Sequence, residues 1–168
     1  LDRYALDAAR ERHAQITKAY QAYELHKVFH SIHTMCANDL SAFYLDVLKD
    51  RLYTSAADSN ERHSAQTALY IILDTLTRLK APIMVFTAEE VWAHIPGTRD
   101  QKMSVHETDL PAVNASFVDT ELAQKWAQIL ELRSEVSKAL EEARAAKTIG
   151  HSLDAAVALD VPQDFLGD

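Results

Sequence analysis

A chain of 168 residues with 48% hydrophobic and 25% charged side chains is one ordinary domain with enough apolar mass for a core, and neither a disordered tail nor a fibre. Three glycines and four prolines argue against a turn-rich all-β design, and the single cysteine, Cys36, excludes an intrachain disulfide and a cysteine-rich zinc site. The net charge of −8 is uneven: residues 1–80 hold 10 basic against 10 acidic groups and residues 81–168 hold 7 against 15, so a polyanion would prefer the first half or isolated basic clusters.

In chain order, Leu6, Ala9, Ile16, Ala19 and Tyr23 recur at helical spacing from Asp2 onward. A second stripe, Leu25, Val28, Phe29, Ile32, Met35 and Cys36, is shifted by about two residues, which predicts two helices with a break near Tyr23-Glu24. Asn38 or Asp39 is then expected to cap a third helix carrying Leu40, Phe43, Tyr44, Val47 and Leu48 and ending near Tyr53. The polar stretch 54–60 reads as a loop, with Asp58 or Ser59 capping a long helix that bears Ala65, Ala68, Leu69, Ile72, Leu76 and Leu79. Pro82 breaks that helix, and Thr87-Ala88-Glu89-Glu90 fits a capping box that opens a short helix ending at Pro96-Gly97.

Residues 98–118 show no sustained period and read as a surface connection with one extended piece around Met103–His106. Asp119 or Thr120 caps a last helix in which Leu122, Trp126, Ile129, Arg133, Val136 and Leu140 form a seam, and Gly150 is placed to end it in a left-handed conformation. Beyond it Ala155, Val157, Leu159 and Val161 alternate as a strand that has no partner in the chain. The fold expected is an all-α antiparallel helix bundle over 1–150, followed by a short terminal strand in 151–168 that starts a further segment. The opening Leu1, where a gene product would have Met, points the same way, toward a piece of a larger protein.

His26, His30 and His33 lie at i, i+4 and i+7, a spacing able to hold a metal, but no histidine has the Glu three residues before it that a di-iron bundle uses, so the row reads as a solvated or packed face. Lys102-Met103-Ser104 lacks the Lys-Ser that would complete an ATP-binding Lys-Met-Ser-Lys-Ser loop, His30-Ser31-Ile32-His33 lacks the glycine of His-x-Gly-His, and no Gly-rich phosphate loop exists. No metal, ATP site or catalytic residue is expected in the chain itself. Lys49, Arg51 and Tyr53 close the third helix, where cations complement the helix dipole and, beside an aromatic, can also meet RNA phosphates and bases. On the last helix Arg133, Lys138, Arg144 and Lys147 are further RNA candidates, although Glu131, Glu135, Glu141 and Glu142 interleave with them. Arg133, set in the apolar seam, reads as a buried pairing or as a contact to another domain or RNA.

The block Asp39-Leu40-Ser41-Ala42-Phe43-Tyr44-Leu45-Asp46-Val47-Leu48-Lys49-Asp50-Arg51-Leu52-Tyr53 closely resembles the anticodon-binding helical domain of bacterial isoleucyl-tRNA synthetases. The resemblance extends through Leu1-Asp2-Arg3, Ala22–Val28, Arg62–Tyr70, Leu79–Pro82, Phe86–Trp92 and, in the same order, Arg133–Val136 and Ile149–Ala155. It implies the helix bundle of class I synthetases, a module that grips the anticodon stem-loop of an isoleucine tRNA; the alternatives are a domain that chiefly braces the rest of the same ligase with little direct RNA affinity, and a free-standing helical adaptor. It also implies a catalytic domain, outside this chain, that uses ATP and Mg²⁺, and often a cysteine-rich zinc module at the far C-terminus. The implied partners are that tRNA and the catalytic and C-terminal domains of the same polypeptide. The implied setting is the cytoplasm, with no membrane, in keeping with charges spread through the first thirty residues and the lack of any apolar run near the roughly 20 residues a bilayer requires.

Overall fold

In the computed structural model, which describes residues 1–98 and 103–160, helix α1 runs from Asp2 to Gln21 and buries Ala5, Ala9, His13, Ile16 and Ala19 along one face. It ends by bonds from the Tyr23 N–H to the Tyr20 carbonyl and from the Glu24 N–H to the Ala19 carbonyl, a Schellman closure. Tyr23 occupies the left-handed position, at φ 56°, where glycine is usual. The break near Tyr23-Glu24 is therefore where the shifted stripes place it, but Tyr23 ends up 90% exposed rather than in the core stripe.

Helix α2 (Leu25–Thr34), a π segment (Met35–Tyr44) and helix α3 (Leu45–Tyr53) then form one continuous rod. The expected helix start at Asn38 or Asp39 does not occur. The i→i+5 winding of the π segment spaces same-side residues four and five apart, which brings Met35, Leu40 and Tyr44 toward the core together. Asp39 instead accepts a hydrogen bond from the Arg12 Nε at 2.9 Å. Helix α4 (Asn60–Lys80) starts at Ser59, whose hydroxyl accepts from the Arg62 N–H. It ends before Pro82.

Three rods thus make a bundle: α1 up, α2–α3 down, α4 up. Sequence neighbours are antiparallel, and α1 and α4 lie side by side, tied near one end by Ser64 to Asp2 and near the other by the Tyr20 hydroxyl to the Leu79 carbonyl at 2.8 Å. The small side chains Ala5, Ala9 and Ala19 on α1 and Ala65 and Ala68 on α4 belong to the main core, which Ile16, Val28, Ile32, Met35, Tyr44, Leu48, Ile72 and Leu79 fill.

Helix α5 (Val85–Trp92) begins two residues before the proposed capping box, so Thr87 lies inside the helix and no side chain caps its start. A capping box does occur, at Ser104 and Glu107, on a 3₁₀ turn (Val105–Glu107) that replaces the expected extended piece. The Glu89 carboxylate of α5 holds this turn through the Ser104 hydroxyl at 2.7 Å and the Val105 N–H at 3.2 Å. Ala81, Ala88, Trp92, Ile95 and Val105 form a second, smaller core.

By compactness the chain divides into two units, Leu1–Thr120 and Glu121–Asp168, a division that falls inside the 1–150 segment read from the sequence as one bundle. In the second unit helix α6 (Thr120–Ala145) buries no residue fully. It closes at Lys147, φ 58°, through bonds from Lys147 and Thr148 to Arg144 and Ala143, so Lys147 and not Gly150 takes the left-handed position. After a 3₁₀ turn (Ser152–Asp154), residues 155–160 form no strand, and Val161, the last residue of the predicted alternation, lies outside the described residues. The alternation of Ala155, Val157 and Leu159 is present, but a strand needs a neighbour to take its N–H and C=O groups, and no strand is present among the described residues.

His13 carries a pH prediction. It is 3% exposed, and burial pushes its pKa below the ordinary 6.5, against the opposing effect of a bond to the Pro111 backbone. The unfolded chain therefore takes up this proton first as pH falls. The neutral ring's contribution to stability is complete above 6.5 and is lost below it. His13→Leu is expected to flatten the fall in stability on acidification, measured as urea midpoints well above and well below pH 6.5; an unchanged acid slope would contradict this.

Candidate nucleic-acid interface

Lys49, Arg51 and Tyr53 follow one another at i, i+2 and i+4, so α3 sends Lys49 and Tyr53 to one side and Arg51 to another. Lys49 is solvent-facing, bonded to Asp46 at 2.7 Å, and that carboxylate raises its pKa and keeps it charged, with Tyr53 adding to the effect. Tyr53 is 83% exposed. A lysine one turn from a bare aromatic ring supplies a phosphate contact and a stacking surface together.

Arg51 turns inward. Its guanidinium donates from one nitrogen to both oxygens of Asp2, at 3.1 and 2.9 Å, while the Tyr44 and Ser64 hydroxyls donate to the same carboxylate at 3.0 and 2.6 Å. Asp2 is thus the junction of all three rods. Burial, then the Asp2 charge, raises the Tyr44 pKa and keeps its phenol a donor. The sequence reading missed Asp2, although a signal was present: Asp2 is three residues before Ala5 and seven before Ala9, on the stripe α1 buries.

Arg133, Lys138, Arg144 and Lys147 are all exposed in the second unit. Arg133 therefore does not sit buried in the seam. The half-buried side of α6 includes Trp126, Leu130, Val136 and Leu140, with Ile129 and Arg133 on wetter positions. Arg133 and Arg144 are about three turns apart on one side of the helix, while Lys138 points well away from them. Arg144 is paired with Glu141, and Lys147 forms the helix closure by its backbone.

Sequence reasoning also missed exposed aromatics in the first unit. Tyr23 and Phe86 are each 90% exposed, and Phe29, half exposed, packs against the rings of His30 and His33. Tyr23 and Phe86 follow the ends of α1 and α4 that the Tyr20–Leu79 bond joins, so they belong to the same end of the bundle. Their signal was hidden because Tyr23 fits the α1 period and the apparent capping box at Thr87 obscured the first turn of α5.

The sequence has three glycines and one cysteine, and no three His, Cys, Asp or Glu side chains among the described residues are grouped to hold a metal. Ser104 is engaged as a cap and with Glu89, and Lys102 lies outside the described residues. No helix among the described residues is long and apolar enough to cross a membrane.

The family model of the anticodon-binding domain of tRNA ligase matches residues 2–159. An isoleucine–tRNA ligase of Syntrophotalea carbinolica is 52% identical over 162 residues, which cover 96% of this chain and 17% of that protein. One from Nitratidesulfovibrio vulgaris strain Miyazaki F is 54% identical over 163 residues, covering 95% and 17%. One from Natranaerobius thermophilus is 46% identical over 165 residues, covering 98% and 18%. The chain thus spans less than a fifth of the length of these relatives. With its three-rod bundle and nearly end-to-end match, the chain belongs to the anticodon-binding domain family of tRNA ligases.

Proposed function

We propose that this chain is the module with which an isoleucine–tRNA ligase holds the anticodon stem and loop of its tRNA. The observation that carries this reading is the family match over residues 2–159 together with the three relatives described above, each an isoleucine–tRNA ligase. The remainder of such a ligase, beyond this chain, would join isoleucine to the tRNA using ATP and Mg²⁺ in the cytoplasm, with zinc in a C-terminal module. Within the first unit, Lys49 would meet a phosphate and Tyr53 would stack on an unpaired base, with Tyr23 and Phe86 as further ring surfaces. Within the second, Arg133, Lys138, Arg144 and Lys147 are exposed cations that would face the backbone, Arg144 while paired with Glu141. Arg51 supports the reading indirectly, by fixing the end of α3 that carries Lys49 and Tyr53.

The test is a salt series of binding to an isoleucine-tRNA anticodon stem-loop with an unrelated stem-loop as competitor. Binding is expected to be weak, selective and steeply weakened by salt. Lys49→Ala is expected to lower the slope of log K against log salt by about 1, and Tyr53→Ala to cost about 1–3 kcal/mol with the slope kept. Equal binding to both stem-loops, or a slope unmoved by Lys49→Ala, would count against this assignment.

A further inference from the structure

Helix α2 buries Val28 and Ile32 and leaves His26, Phe29, His30 and His33 exposed. With 3.6 residues per turn, these four fall within about 100° of one another around the helix. Three of the rings touch: the Phe29 centroid lies 5.5 Å from that of His30, edge to face, and 6.0 Å from that of His33. Neither hydrophobic core includes any of the four, and Phe29 stays 56% exposed. Rings that already pack on one another lose less freedom when a further flat group settles on them.

The charge of this face selects the kind of partner. From Leu25 to Asn38 the sequence has no Asp or Glu, in a chain that has 25 of them, and Glu24, just before the helix, is paired with Lys27 at 2.7 Å. A polyanion thus meets no row of carboxylates here. Imidazole N–H groups donate to phosphate oxygens, and phenylalanine and histidine rings take the faces of unstacked bases. The apolar surface of a protein partner would instead bury the polar nitrogens of three histidines, at a cost unless each found a bond. From His26 to His33 the helix rises about 10 Å, the length of about three nucleotides at roughly 3.4 Å each.

We propose that this face of α2 binds a run of about three unpaired RNA nucleotides, one base stacked on Phe29 and the histidines donating to phosphates. The proposal rests on the tRNA-binding reading above and adds a contact apart from Lys49 and Tyr53, which close the other end of the same rod.

A riboadenosine hexamer and an abasic hexamer of the same ribose–phosphate backbone separate the bases from the charge. Each is titrated into the 168-residue chain while the ring proton resonances of Phe29, His30, His33 and Tyr53 are followed. The adenosine hexamer is expected to bind at least about fivefold tighter than the abasic one and to move the α2 rings. Phe29→Ala is expected to weaken the adenosine hexamer by a similar factor, and Phe29→Tyr to keep its affinity. Equal affinity for the two hexamers, an affinity that Phe29→Ala leaves unchanged, or α2 rings that neither hexamer moves would overturn the proposal. So would α2 shifts that follow protein concentration instead of RNA, the mark of a contact between copies of the chain. If the adenosine hexamer moves Tyr53 alone, this face is not the site and the tRNA reading stands; that reading fails separately, in the stem-loop competition. The resonances are read in the unaltered chain, so the outcome does not depend on how well Phe29→Ala folds.

Discussion

Asp2→Ala is expected to destabilise the bundle by about 3 kcal/mol, read as a lowered urea midpoint, although the residue stands at the first turn of the first helix. Its carboxylate is the common acceptor for Tyr44, Arg51 and Ser64, which belong to the π segment, α3 and α4. The Asp2 side chain is 11% exposed and that of Arg51 32%. Removing one partner of a buried ion pair costs about 3–5 kcal/mol, because the other charge stays buried and unpaired. The low end applies because about a third of Arg51 reaches water and recovers part of its hydration. Tyr44, a residue 1% exposed, has no such recourse. Tyr44→Phe removes one hydrogen bond and leaves the Arg51 pair intact, so it is expected to cost about 1 kcal/mol. Asp2→Asn keeps shape and one acceptor but loses the charge, and belongs between the two. An Asp2→Ala midpoint within about 0.5 kcal/mol of the parent would mean that the junction does not hold the rods together.

The same residue shows what the sequence made legible. Period and punctuation located most rods: Tyr23-Glu24 as a break, Ser59 as a cap, and Pro82 as a stop all follow from local chemistry and are found. What failed also had a physical cause. Asn38 and Asp39 are good caps by composition, yet the rod continues through them because the wider π winding puts Met35, Leu40 and Tyr44 on the core side together. Thr87 and Glu90 have the right spacing for a cap, but the helix starts earlier, and the spacing that does form the box is at Ser104 and Glu107. Gly150 lost its place to Lys147, since a helix end is fixed by where the carbonyls of Ala143 and Arg144 find donors, and left-handed lysine is strained but not forbidden.

At the site, the exposure of Lys49 and Tyr53 was readable from their position on α3. The engagement of Arg51 was not, because its partner lies 49 residues away in sequence. Only the awkward presence of a carboxylate on the alanine face of α1 pointed to it. Long-range pairing is what a single sequence encodes least, and at this junction it separates a cation that faces solvent from one that holds the helices.

Trp92→Ala is expected to cost about 3–5 kcal/mol, the range for emptying a buried large aromatic position, and to do so locally. The indole, 4% exposed, is the largest member of the smaller core, with Ala81, Ala88, Ile95 and Val105 around it. Its Nε1 donates to the Met103 carbonyl at 2.9 Å, and the Arg78 guanidinium lies 5.2 Å from the ring centre while paired to Asp74. Removing the ring leaves that carbonyl without its donor and takes away the surface against which Val105 packs. Because this cluster is separate from the main core, α5 and the 103–107 turn are expected to open as a unit while α1 and α4 stay folded. Native-state hydrogen exchange reads this directly: amides of α5 and of residues 103–107 should lose most of their protection, with those in the middle of α1 and α4 nearly unchanged. Trp92→Phe keeps much of the packing and should cost less, chiefly the hydrogen bond to Met103. A uniform loss of protection through α1, α4 and α5 alike would show that the two clusters melt as one cooperative unit, and would place Trp92 in the stability of the whole bundle.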